Sequence, residues 1–129
     1  MKLRVVLVII GLASSILGFG QITETKVEQG KVAGFEQNGM GYFMAIPYAE
    51  APTGELRWKA PVPKKPWTGT FQATENGAMP PQRAFSRPGQ PGPKVSEDCL
   101  FINIITPAKS KDEKLPVLAW IHGGGVATG

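Results

Sequence analysis

The stretch Leu115-Pro116-Val117-Leu118-Ala119-Trp120-Ile121-His122-Gly123-Gly124-Gly125-Val126-Ala127-Thr128-Gly129 decides how the rest of the chain is read. A short apolar run, Val117 to Ile121, is bounded by Pro116 before it and by three consecutive glycines shortly after it. That pattern predicts a buried strand feeding a loop in which backbone, not side chains, approaches something closely. Without Cβ atoms, amide N–H groups can line a concavity, and conformations with φ > 0 carry no steric cost. Fixed backbone donors of this kind can hold an oxyanion as it develops on a reacting carbonyl. The plainer alternative is a flexible connection, and glycines alone do not separate the two.

Moving outward, the strand before it is Cys99-Leu100-Phe101-Ile102-Asn103-Ile104-Ile105-Thr106, nearly continuous in apolar residues, with the charged surface turn Pro107–Leu115 between the two. Two strands of this composition predict a sheet covered on both faces. Nearer the N-terminus, Lys26-Val27-Glu28 and Lys31-Val32-Ala33 alternate polar with apolar. Asn38-Gly39 is a hairpin signal leading into Tyr42-Phe43-Met44-Ala45-Ile46. A small antiparallel sheet is expected there. Residues 47–90 read as loop, punctuated by Pro52, Pro61, Pro63, Pro66, Pro80, Pro81 and Pro88. Tyr48, Trp58, Trp67 and Phe71 are expected to tack that loop to a larger body. The rival reading, a proline-rich ligand for another domain, lacks an extended PxxP repeat.

Residues 1–20 have the make-up of a secretory signal peptide: Lys2 and Arg4, then the apolar run from Val5 to Leu12, then small residues. As a membrane anchor the apolar segment Val5–Phe19 falls short of the roughly 20 residues of a spanning helix. The expected product is secreted and extracellular, residues 21–129 forming one incomplete domain.

The composition is globular, with 42% hydrophobic and 19% charged residues, and 16 glycines and 12 prolines imply many turns. The net charge of +4 is scattered, with no basic stripe and no aromatic platform, so nucleic acid is not an expected partner. The one cysteine, Cys99, excludes an internal disulfide framework and a thiolate-rich metal site.

Four separated blocks resemble the type-B carboxylesterases, the family that includes cholinesterases and insect esterases. They are Phe43 through Gly54 (FMAIPYAEAPTG), Leu56-Arg57-Trp58 with Pro66-Trp67-Thr68-Gly69, Ser96-Glu97-Asp98-Cys99-Leu100, and Trp120 through Gly125. They come in the family's order. The resemblance implies the N-terminal part of an α/β-hydrolase fold, a small antiparallel sheet followed by the first strands of the central sheet. It implies hydrolysis of small-molecule carboxylic esters by a Ser-His-Glu/Asp triad, with no cofactor and no metal. Gly124 and Gly125 would supply two oxyanion-hole amides, His122 and Gly123 would shape that loop, and Arg57 and Glu97 would form a buried structural ion pair. His122 stands at a loop position of the family, not at that of the triad base. By its residue type alone, Arg57 reads as a solvated loop charge.

Four departures from the pattern matter. No G-x-S-x-G stretch occurs in the 129 residues, so this chain by itself is expected not to hydrolyse esters and reads as the N-terminal piece of such an enzyme. Pro80 stands where the family places the disulfide partner of Cys99, leaving that thiol unpaired. Between Trp67 and Cys99 there is no tryptophan to hold a quaternary ammonium, which disfavours a choline ester. Finally, Ala45 and Ala51 depart from the family's first block, and Val126 replaces the aromatic residue usual after the glycines. The alternatives to an esterase segment are a non-catalytic cholinesterase-like binding protein, or an inactive truncated product with exposed apolar edges.

Overall fold

The computed structural model describes residues 20–82, 89 and 92–125; the expected leader, apart from Gly20, and Val126 lie outside the described residues. Two hairpins begin the architecture. In the first, β1 (Glu24–Val27) pairs antiparallel with β2 (Gly30–Ala33), setting Thr25 opposite Val32. In the second, β3 (Phe35–Gln37) pairs antiparallel with β4 (Met40–Pro47) across the Asn38-Gly39 turn. Both turn residues have positive φ, +53° and +74°. That is the type I′ geometry whose twist matches the flanking strands, and asparagine and glycine tolerate it best.

Each hairpin gains one strand from farther along the chain. β5 (Thr70–Gln72) lies parallel to β2, and β6 (Phe101–Thr106) lies antiparallel to β4, giving two three-stranded sheets of order β1-β2-β5 and β3-β4-β6. The sheets are joined by backbone. Gly34 runs β2 directly into β3, and Met44 N–H of β4 donates to Ala73 O, just past β5, at 2.8 Å. The bonds from Ala73 N–H to Ala33 O at 2.6 Å and from Gly34 N–H to Thr23 O at 2.8 Å extend the ladders of the first sheet.

The core sits where the sheets meet. Val32, Phe43, Ile46 and Ala73 are buried, with Ile22, Val27, Trp67 and Phe71 packed against them. Fully burying side chains such as Val32 or Phe43 stabilises by about 1.5–3 kcal/mol each. Trp67 fastens the proline-rich segment to this core. Its indole stacks over Gly30, lies 5.4 Å from the Phe71 ring, and donates Nε1–H to Lys31 O at 2.8 Å.

Several expectations need correction. The N-terminal sheet is mixed rather than purely antiparallel, because the three-residue β5 joins it in parallel. Residues 47–90 are not bare loop. They include a 3-10 turn at Gly54–Leu56, β5, and an Ala49–Pro63 bridge braced by Lys64 Nζ to Glu50 Oε2 at 3.0 Å and Lys65 N–H to Glu50 Oε1 at 2.8 Å. Of the four aromatic residues there, Trp67 and Phe71 are staples, whereas Tyr48 is exposed and Trp58 is 96% exposed. β6 forms but is mostly exposed.

The largest difference is Val117–Ile121, which has no strand partner among the described residues, with Val117 at 93% and Ile121 at 88% exposure. A strand is made by its neighbours' N–H and C=O groups as much as by its own side chains. No described strand lies beside this one.

Candidate functional site

The glycine loop follows directly on that exposed run. Gly124 has φ +127° and Gly125 φ +60°, values that side chains resist and glycine accepts. A Cβ at Gly123 or Gly125 would meet nothing within 4 Å, so conformation rather than crowding selects glycine at 125. His122 Nδ1 lies 2.8 Å from the Gly123 carbonyl oxygen. A carbonyl only accepts, so Nδ1 is the donor in this contact. The ring is thereby tied to its own loop, an arrangement that shapes the loop.

His122 also lines a cleft of about 560 Å³. Met79 and Pro80 contribute to one wall, and the floor comes from Cys99, Phe101 and Asn103, alternate residues along β6 and its approach. The alternation is the strand's period of two, which presents 99, 101 and 103 on one face. Gly77 allows the wall to close on the floor, because a Cβ there would overlap the Phe101 ring. Main-chain bonds hold the base of the wall. Met79 N–H donates to Lys94 O at 2.8 Å, and Ser96 N–H to Met79 O at 2.9 Å, a parallel bridge between Met79 and Val95. Hydrogen bonds thus close this excursion of the chain, next to Pro80.

Cys99 is unpaired and partly buried. Burial foremost, then the negative charges of Asp98 and Glu97, push its thiol above the ordinary range. Such a thiol is a poor nucleophile at neutral pH.

Arg57 and Glu97 meet in a two-point pair: Nε–H donates to Oε1 at 2.9 Å and Nη2–H to Oε2 at 2.6 Å. It clips the end of the 3-10 turn to the approach of β6. The hydrogen bonds from Arg57 hold the Glu97 carboxyl below its usual range, and those same bonds raise the guanidinium. The expected burial is not met, for the two side chains are 48% and 43% exposed. The penalty for breaking a buried pair therefore does not transfer to this one.

The structure thus brings His122 and Cys99 to one cleft, sets Gly123–Gly125 just beyond it, and places Arg57–Glu97 outside its lining. Sequence reasoning missed Asn103, whose Oδ1 accepts the Ala45 N–H at 2.8 Å. The available signal was one polar residue inside an otherwise apolar strand. Among the described residues no group of three or more His, Cys, Asp or Glu side chains is placed to hold a metal ion. No helix among them is long and apolar enough to cross a membrane.

The sequence model of the carboxylesterase family matches residues 21–129. Gut esterase 1 of Caenorhabditis elegans is 45% identical over 112 residues, which are 85% of this chain and 19% of that protein. Para-nitrobenzyl esterase of Bacillus subtilis is 39% identical over 104 residues, 79% of this chain and 21% of that protein. Among solved structures, a PNB esterase superposes with a TM-score of 0.73 at 37% identity, covering 83% of this chain and 21% of that one. The architecture is therefore the truncated N-terminal part of an α/β-hydrolase fold, and the chain spans about a fifth of the length of the relatives it matches.

Proposed function

The chain belongs to the carboxylesterase family, and from that premise we propose that it is the N-terminal segment of a secreted serine carboxylesterase acting on small-molecule esters. The observation that carries the reading is the glycine loop, with Gly124 and Gly125 at φ values only glycine takes readily. In the complete enzyme their amides would stabilise the tetrahedral oxyanion, and removing one donor of this kind typically costs ~10²–10³ in rate. His122 and Gly123 would fix the loop's shape, and Arg57–Glu97 would clip the segment before β6. The nucleophile, its base and the acidic partner would come from residues outside this chain, since no G-x-S-x-G stretch lies within it. Secretion is supported by the make-up of residues 1–20 and by a family match that begins at residue 21.

A test is to treat the protein, isolated from its natural source, with a fluorophosphonate probe and p-nitrophenyl acetate. Covalent labelling together with ester hydrolysis is the expected result. A product longer than 129 residues that neither labels nor hydrolyses would replace this reading with a non-catalytic binding protein. For the 129-residue chain alone, the exposed Val117–Ile121 run favours a second reading, an inactive product prone to associate through that run.

A further inference from the structure

β6 has a register problem that its hydrophobic pattern does not solve. Phe101 and Ile105 are apolar on one face, Ile102 and Ile104 on the other, and the three isoleucines are all roughly half exposed. A strand apolar on both faces specifies its pairing weakly, and a one-residue slip turns every side chain to the opposite face. The observed pairing contains a bulge. Phe43 faces Ile104 and Ile46 faces Ile102, so Met44 and Ala45 together oppose the single residue Asn103.

The bulge divides its two N–H groups. Met44 donates to Ala73 O, toward the other sheet, and Ala45 donates to Asn103 Oδ1 at 2.8 Å. Ala45 is buried and has φ +51°, a conformation an alanine adopts against its own preference. Its position therefore has to be held from outside.

From this geometry we infer that Asn103 is the positioning residue of the cleft. Its side-chain carbonyl locks the bulge at Ala45, and the bulge sets which β4 residues pair with the stretch of β6 that floors the cleft. Without the bulge, Ile46 would face Phe101 rather than Ile102, and β4 beyond residue 45 would present its opposite face. A single polar partner fixing a register that apolar contacts leave open has precedent in coiled coils. The inference concerns the shape of the cleft whichever reaction it serves, so it stands or falls apart from ester hydrolysis.

The experiment is NMR on the full chain, unmodified and with Asn103→Leu and Asn103→Asp. In the unmodified chain the Ala45 amide is expected to exchange slowly and to show through-hydrogen-bond coupling to the Asn103 side-chain carbonyl. Asn103→Leu should speed that exchange about tenfold or more and replace the 46–102 contact by a 46–101 contact. Asn103→Asp at pH 7 keeps the acceptor and should restore both signatures. Unprotected exchange of the Ala45 amide in the unmodified chain would overturn the inference, as would an Asn103→Leu chain that keeps the 46–102 contact. Should Asn103→Leu fail to fold, the coupling in the unmodified chain and the Asn103→Asp contacts decide the matter.

Discussion

Replacing Gly34 with alanine adds one carbon at the corner where β2 passes into β3 and the two sheets part company. Gly34 is not among the positive-φ glycines, so alanine brings no backbone strain and the entire effect is packing. A Cβ there would overlap the Tyr42 carbonyl oxygen and lie 2.9 Å from Phe43 Cδ1. Neither neighbour can retreat easily. Tyr42 belongs to β4, which is paired on both sides, and Phe43 is 4% exposed in the core. Overpacking costs about 1–3 kcal/mol, and a clash with paired backbone belongs at the upper end, about 3 kcal/mol. That is a roughly 150-fold change in the folded-to-unfolded ratio at 1.36 kcal/mol per tenfold. Urea denaturation followed by far-UV circular dichroism should show an unchanged slope and a midpoint lowered by about 1–3 M, for slopes of about 1–3 kcal/mol per M. Gly39→Ala is the control. It has open space around the new atom but φ +74°, so it should cost only about 1 kcal/mol, the left-handed strain offset by glycine's entropy. A Gly34→Ala chain within about 0.5 kcal/mol of the parent, or less affected than Gly39→Ala, would refute the packing argument.

Other perturbations probe the neighbouring contacts. Because Arg57 holds the Glu97 carboxyl below its usual range, the pair's contribution is fully present above the ordinary carboxylate value near 4.5 and is lost as pH falls through the lowered one. Glu97→Gln should flatten that part of an acid-denaturation profile, measured by circular dichroism, and leave the neutral-pH shape unchanged. Burial and adjacent carboxylates raise the Cys99 thiol, so iodoacetamide at pH 7.5 should alkylate it more slowly in the folded chain than after urea unfolding, read by mass spectrometry. Pro80 and Cys99 line the same cleft. Pro80→Cys should therefore oxidise to a disulfide and raise stability by about 3 kcal/mol through loop closure, lost on reduction in a thermal melt.

Local signals in the sequence carried the hairpins. Asn38-Gly39 fixed the β3–β4 turn through backbone preference alone, and the alternation around Val27 and Val32 marked β1 and β2. Contacts distant in sequence were not legible. β5 is three residues long and borrows its ladder from Lys31–Ala33, so no periodicity of its own reveals it. The bulge was invisible because Ala45 looks like an ordinary strand residue, and only its pairing with Asn103 shows the left-handed turn. Val117–Ile121 was read from composition as buried, yet burial needs a covering neighbour, and among the described residues there is none. The Arg57–Glu97 pair came from family resemblance, since 40 residues separate the partners and no local rule joins them. The same resemblance supplied Gly124 and Gly125, whose run of glycine types alone does not distinguish an oxyanion loop from a flexible connection.

The central claim, that this chain is the front of a serine carboxylesterase, is tested most directly by sequencing the transcript past the codon for Gly129. The account predicts an open frame that continues into G-x-S-x-G and later supplies an acidic residue and a histidine. A stop codon at that point, or a continuation in which the serine is replaced, would contradict it.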